Sequence, residues 1–166
     1  MRAGILLIAI SLFFGSQHAF AQEEEGDPVY VVDSVLSAQN ALEKIPPDQI
    51  GIITIAHGSK AVAKYGPQAL NGVVYIETKP FARRRVNELL RKHSPDYDKA
   101  WKKFGGDSSF YFIVNTQPVT PTNESLLMTL DAKTLKTIKV IESGELEDKY
   151  RIKGHPIGVI ITSSEN

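Results

Sequence analysis

Nucleophiles, general bases and metal ligands need particular side chains, and this chain offers few of them. It has no cysteine, and its histidines beyond the first 21 residues are His57, His93 and His155. His57-Gly58-Ser59 sets an imidazole two residues from a hydroxyl. A Ser–His pair needs both groups within hydrogen-bond reach and a third group to orient the ring. Adjacent residues at a strand end point apart, and no orienting group is evident, so His57 reads as a strand-end histidine. A competing reading, a small exported hydrolase or ligand-binding domain, would use the strand ends near His57 and Asp33 and requires a deep pocket joining them. Thiolate zinc sites and disulfides are excluded by composition. His57 and Glu142 would supply only two ligands where a structural zinc takes about four. No Gly-rich loop opens a helix after a strand, so nucleotide binding has no motif. No catalytic residue, cofactor or metal is expected.

The elements that would position these residues centre on Asp48–Lys79. Ile50, Ile52, Ile53 and Ile55 form a β-branched run ending at His57-Gly58, which predicts a buried strand. Ser59 can cap a short helix through Lys64-Tyr65, closed by Gly66-Pro67. Asn71-Gly72 predicts a turn, and Val73–Ile76 the next strand. Upstream, Val29–Asp33 predicts a first strand. Ser37 can cap a helix over Ala38–Lys44, with Ala38, Ala41, Leu42 and Ile45 at helical spacing. Pro46-Pro47 ends it.

From Lys79 to Phe104 nine basic residues face three acidic ones, a net of +6 in a chain of zero formal charge. Phe81, Val86, Leu89 and Leu90 mark one helix face. Ser94-Pro95-Asp96 starts a second helix, with a capping hydroxyl, a proline at the first position and an acid at the positive end of the dipole. Tyr97, Trp101 and Phe104 would form its buried face, and Gly105-Gly106 its stop.

Beyond that linker the pattern recurs. Phe110–Asn115 matches Val29–Asp33. Leu130, Leu135, Ile138, Val140, Lys149 and Tyr150 stand 85 positions after Ile45, Ile50, Ile53, Ile55, Lys64 and Tyr65, as in 150 − 65. Gly158–Thr162 echoes Gly72–Ile76 after one inserted residue. The chain therefore reads as an internal duplication. Tyr65 and Tyr150 end the short helices of both copies and are expected to pack in the core. Asp33 and Asn115 both follow a first strand and favour a turn there.

The motifs of the first copy resemble the plug domain of TonB-dependent outer-membrane receptors, in the form found in Bacteroidetes-type bacteria. The matching residues are Val31-Val32-Asp33, Pro47-Asp48-Gln49-Ile50, Ser59, Ala61, Ala63, Tyr65-Gly66, Asn71-Gly72-Val73 and Thr78-Lys79. The chain departs from the pattern at Ser34, at His57 where the family has Lys, and at Gln68-Ala69 where it has Arg-Gly. The resemblance implies an α/β fold of two tandem plug-like units, each a small mixed sheet with short helices, joined by two linker helices. The units are assigned to 29–79 and, more divergent, 109–164, with the basic helical linker at 80–108. The resemblance also implies a non-enzymatic interaction module at the periplasmic or outer-membrane face.

Compartment follows from the start of the chain. Arg2, the apolar run Ile5–Phe14 and Ala19-Phe20-Ala21 form a secretory signal, cleaved after Ala21 and covering 1–21. That apolar run is about ten residues, against roughly 20 for a membrane-spanning helix, so no transmembrane segment remains after cleavage. Residues 22–28 are a short acidic lead, expected to be mobile. The remaining 145 residues (166 less 21) form a plug without its barrel, because about 22 strands of roughly ten residues each would exceed them. The lead shows no apolar segment for TonB to pair with, so TonB coupling is not expected. Zero net charge provides no global field for nucleic acid. Arg83, Arg84, Arg85, Arg91 and Lys92 are the candidate contacts for an acidic envelope protein or an anionic membrane surface. The alternative is a solvated brace between two lobes.

Overall fold

The computed structural model describes residues 26–164. The signal segment 1–21, and the acidic lead up to residue 25, lie outside them. The described chain is an α/β fold with two four-stranded mixed sheets, short helices and two helices between the sheets.

The first sheet contains β1 (Val29–Val32), β2 (Val35–Ser37), β3 (Ile50–Ala56) and β4 (Val73–Thr78), ordered β2-β1-β4-β3. β1 pairs antiparallel with β2 and parallel with β4, and β3 closes the other edge antiparallel to β4. The second sheet repeats this. It comprises β5 (Tyr111–Val114), β6 (Gln117–Pro118), β7 (Leu135–Glu142) and β8 (Ile157–Ser163), ordered β6-β5-β8-β7. The irregularity in register falls at Ile50/Ile52 in one sheet and at Leu135/Thr137 in the other, 85 positions apart. Ile53 opposes Ile76, and Ile138 opposes Ile161, so the same offset holds through β4 and β8. The inserted residue expected before β8 is therefore absent from the pairing: Gly158 takes the place of Val73, not of Gly72. Length changes earlier, where Val35 to Ile50 spans 15 positions and Gln117 to Leu135 spans 18. The longer connection contains the helical turn α4 (Ser125–Met128), after α1 (Ser59–Tyr65), α2 (Lys79–His93) and α3 (Pro95–Phe104). The last helix is α5 (Ser143–Tyr150).

The second linker helix begins at its expected cap, Ser94, and the first begins after Thr78, for which no capping role was expected from the sequence. Thr78 Oγ1 accepts from the Phe81 amide and Ser94 Oγ from the Tyr97 amide, while Gly105 ends α3 in the left-handed region (φ 72°). Val86, Leu90, Tyr97 and Ala100 then bury against Phe112, Val159 and Ile161 of the second sheet and Phe110 just before it. A separate, smaller cluster of Val29, Val31, Ala61, Ala69 and Val73 fills the first sheet's covered side. The core is thus two clusters; the linker helices contribute to the second, and α2 also lies against β3 and β4 of the first sheet.

Local expectations are corrected at five places. Gln39–Lys44 is a 3-10 helix with no buried residue. Ser37 donates its hydroxyl to the Val35 carbonyl instead of capping it, and a short helix without a packed face does not lengthen. Gly58 rather than Ser59 occupies the cap position of α1. β3 is an edge strand, not a buried one, because the sheet order leaves nothing beyond it; Ile53 is 48% and Ile55 60% exposed. On α3 Tyr97 is buried, but Trp101 is half-buried and Phe104 exposed. The Arg91 guanidinium lies 4.2 Å from the Trp101 ring centre and covers what the second sheet does not. Tyr150 keeps its place opposite Tyr65 in the repeat but is 38% exposed, whereas Tyr65 is half-buried against Tyr75.

Candidate functional site

His57 and Asp33 are placed by the directions of their strands. β1 runs parallel to β4, so Asp33 comes beside the end of β4; β3 runs antiparallel, so His57 comes beside its start. About five residues at roughly 3.3 Å each separate the two ends. The structure does not bring them together, and no pocket among those found in the described residues is lined by both.

Each of them has a local role. Asp33 Oδ1 accepts from the Thr78 amide at 2.7 Å and Oδ2 from the Thr78 hydroxyl at 2.8 Å. Asp33 and Ser34 both have positive φ (47° and 69°), the pair of left-handed residues that a tight hairpin turn requires. The second unit repeats the device: Asn115 and Thr116 have φ 47° and 70°. Asn115 Oδ1 accepts from the Ser163 amide at 2.8 Å, and its Nδ2 donates to the Ser163 hydroxyl at 3.0 Å. Asp33 is therefore a structural clamp. The His57 ring rests on Gly72, where a Cβ would stand 2.6 Å from Nδ1. Asp27, Ile55, His57, Leu70, Asn71 and Val74 line an open depression of about 470 Å³ on that side of the first sheet.

The five basic candidates divide. Arg83 Nε donates to Asp107 at 2.6 Å, and Arg91 Nε to Asp98 at 2.7 Å. Arg85 holds Glu77 through Nε at 2.9 Å and donates through its two terminal nitrogens to the carbonyls of Leu130 (2.8 Å) and Met128 (2.5 Å). One guanidinium thus ties β4 of the first sheet to the segment leading into β7. Among the described residues Arg84 and Lys92 are exposed and make no ion pair, as are Lys99 and Lys103 on α3. A groove of about 470 Å³ runs between Pro80, Arg84, Asn87, Arg91 and Trp101.

The perturbed acids are structural too. The Lys102 ammonium and then the Arg91 guanidinium hold Asp98 below the usual carboxylate range. Backbone donation from Thr134 does the same for Asp131. Glu145, bridged by Lys139 at 2.6 Å and Lys149 at 2.7 Å, is lowered to about 2. Burial pushes the Tyr97 hydroxyl well above the phenol range, and it donates to Asn87 Oδ1. Among the described residues no three His, Asp or Glu side chains converge on a metal position.

Sequence reasoning missed two features. Arg85 reads as one more charge on a basic helix, and nothing in its spacing signals its three-way bond. The open side of the first sheet was hidden by the isoleucine run, although its lack of charge beside the lysine-bearing β7 was a usable signal. Comparison with protein-family models, curated proteins and solved structures finds no match to this chain.

Proposed function

We propose that this chain is an exported, non-enzymatic interaction module of the cell envelope, built like a TonB-receptor plug without its barrel. The observation that carries the reading is the apolar side chains left open on the first unit, the one that holds the plug-like motifs. Leu70 is 70% exposed, Ile55 lines the same depression, and Ile53 stands beside it on the strand face. Apolar surface grouped in this way marks a contact site for another protein. The distance between His57 and Asp33 supports the non-enzymatic half of the proposal, since a nucleophile and its base must reach a common atom. A second reading rests on Arg84, Lys92, Lys99 and Lys103, which leave a cationic surface for an acidic envelope protein or anionic lipid headgroups.

Fractionation of the native cell, combined with a photo-crosslinking residue at Leu70, tests the proposal. We expect the protein in the envelope fraction beginning at Gln22, with a discrete adduct from the Leu70 probe and none from a probe at Lys136. A cytoplasmic protein retaining residues 1–21, or equal adducts from both probes, would refute it.

A further inference from the structure

β3 and β7 are the same edge strand built twice, and they are defended differently. An edge strand presents unpaired N–H and C=O groups, and proteins block such templates with charge. β7 follows that rule: Lys136, Lys139 and Glu142 interrupt it, and Lys139 is ion-paired with Glu145. β3 reads IGIITIA, with no charged residue from Ile50 to Ala56. The residue in the place of Lys139 is Thr54 (139 − 54 = 85). Near Gly51 the strand lies against Met128, but Ile53, Thr54 and Ile55 are exposed. Among the described residues no backbone or side-chain hydrogen bond reaches β3 from any element other than β4.

We propose that β3 is a self-pairing edge, through which two copies of this chain join antiparallel into one continuous sheet. The order would be β2-β1-β4-β3 followed by its two-fold copy. Charge complementarity selects a second copy and fixes its direction. Asp48 stands six positions before Thr54 and Lys60 six positions after it (54 − 48 and 60 − 54). Both are exposed, and neither forms an ion pair within the described chain. Asp48 lies in the 3-10 turn just before β3 and Lys60 in the first turn of α1 just after it, so with the two-fold axis at Thr54 the acidic approach to each strand faces the basic exit of the other. Parallel pairing would instead set like charges side by side. The same register puts Ile53 opposite Ile55 of the second copy, twice, on the open face, and aliphatic cross-strand pairs of this kind stabilise a sheet. The contact is small, which places the dimer among weak, concentration-dependent assemblies. The inference does not depend on the plug-like reading.

Sedimentation velocity of the purified protein from about 1 to about 500 μM, the range that brackets such weak contacts, is the primary measurement. We expect a monomer at the low end and a dimer at the high end. Thr54→Lys copies the guard that the second unit carries at Lys139, and it should weaken the dimer about tenfold or more by setting like charges across the axis. Thr54 is exposed; it lines a hollow with Glu77, Arg85 and Asp131, two carboxylates to one guanidinium, which accommodates a lysine, so the variant should melt close to the parent. Because the chain has no cysteine, Thr54→Cys introduces a single thiol that should form a covalent dimer on mild oxidation, while Lys139→Cys should not. A wild type monomeric throughout overturns the proposal. So does a dimer untouched by Thr54→Lys, or equal cross-linking from both cysteine variants. If the wild type is monomeric but β3 gains hydrogen-exchange protection in envelope extract, another polypeptide occupies the edge and the self-pairing is wrong.

Discussion

Removing the Arg85 side chain should be among the most damaging single changes to this protein. Arg85 sits on α2, half-buried, with a carboxylate on one side and two main-chain carbonyls on the other. A hydrogen bond from a charged donor contributes about 1.5–3 kcal/mol when buried. Partial exposure reduces that to roughly 1 kcal/mol for each carbonyl bond, and the Glu77 pair adds about 0.5–1 kcal/mol. Arg85→Ala should therefore destabilise by roughly 3 kcal/mol, and a domain of this size loses about 3 °C of Tm per kcal/mol. Arg85→Lys keeps the charge but not the fork, so it should still lose about 2 kcal/mol. Glu77→Gln removes only the ionic component and should cost under about 1 kcal/mol. Urea unfolding of the three variants separates these values. Arg85→Ala and Arg85→Lys both lying within about 0.5 kcal/mol of wild type would refute the assignment of Arg85 as the tie between the sheets.

Asp33→Ala should cost about 1–2 kcal/mol through loss of the Thr78 bonds, whereas Asp33→Asn should fall within about 0.5 kcal/mol because Asn115 performs the same task in the second unit. Paired melts check it. Gly72→Ala should cost about 2–3 kcal/mol, from a φ of +96° and a Cβ placed 2.6 Å from the His57 ring. Adding His57→Ala should recover the steric part only, and a double-mutant cycle measures that. Glu145 is lowered to about 2 from a reference of 4.5, with Lys139 as the larger cause. Its contribution to stability is complete above the reference value and is lost as pH falls toward 2. An NMR titration should find its midpoint raised in Lys139→Ala, and an unchanged midpoint would contradict the bridge.

The duplication was legible because side-chain period and chain spacing survive divergence: Ile53 and Ile138 oppose Ile76 and Ile161 in the same register. Its details misled where turn residues differ. Asn71-Gly72 and His155-Pro156 look misaligned by one, yet the hydrogen-bond ladder keeps the offset. The linker helices were legible from local chemistry, since Ser94-Pro95 and Gly105 act within one turn of themselves. Edge position is not local. An isoleucine run reports that a strand suits apolar surroundings and says nothing of how many neighbours it has. The same limit applies to Trp101, whose spacing from Tyr97 predicts burial by the sheet, while a cation from the preceding helix covers it. For the candidate site, residue types alone paired His57 with Asp33, and strand direction separates them.

The two units share one backbone plan and differ in what lies against it. α2 and α3 carry Val86, Leu90, Tyr97 and Ala100 to the second sheet's cluster, which also holds the large side chains Phe110, Phe112, Leu127, Leu130, Ile157 and Ile161. The first sheet's cluster contains two alanines and three valines, with tyrosines only at its margin. A sheet packed on two helices can carry lysines on its edge strand because its stability does not depend on that edge. A sheet with a small cluster and an open apolar face gains more from a further partner. The unguarded strand lies on the unit with the smaller buried cluster. It is also the unit that Arg85 attaches to the other one. On this reasoning the second unit and linker act as the scaffold and the first as the presented surface, so a substitution in the Val86–Tyr97 cluster should unfold the chain. One at Thr54 or Leu70 should leave the fold intact and alter only what the surface binds.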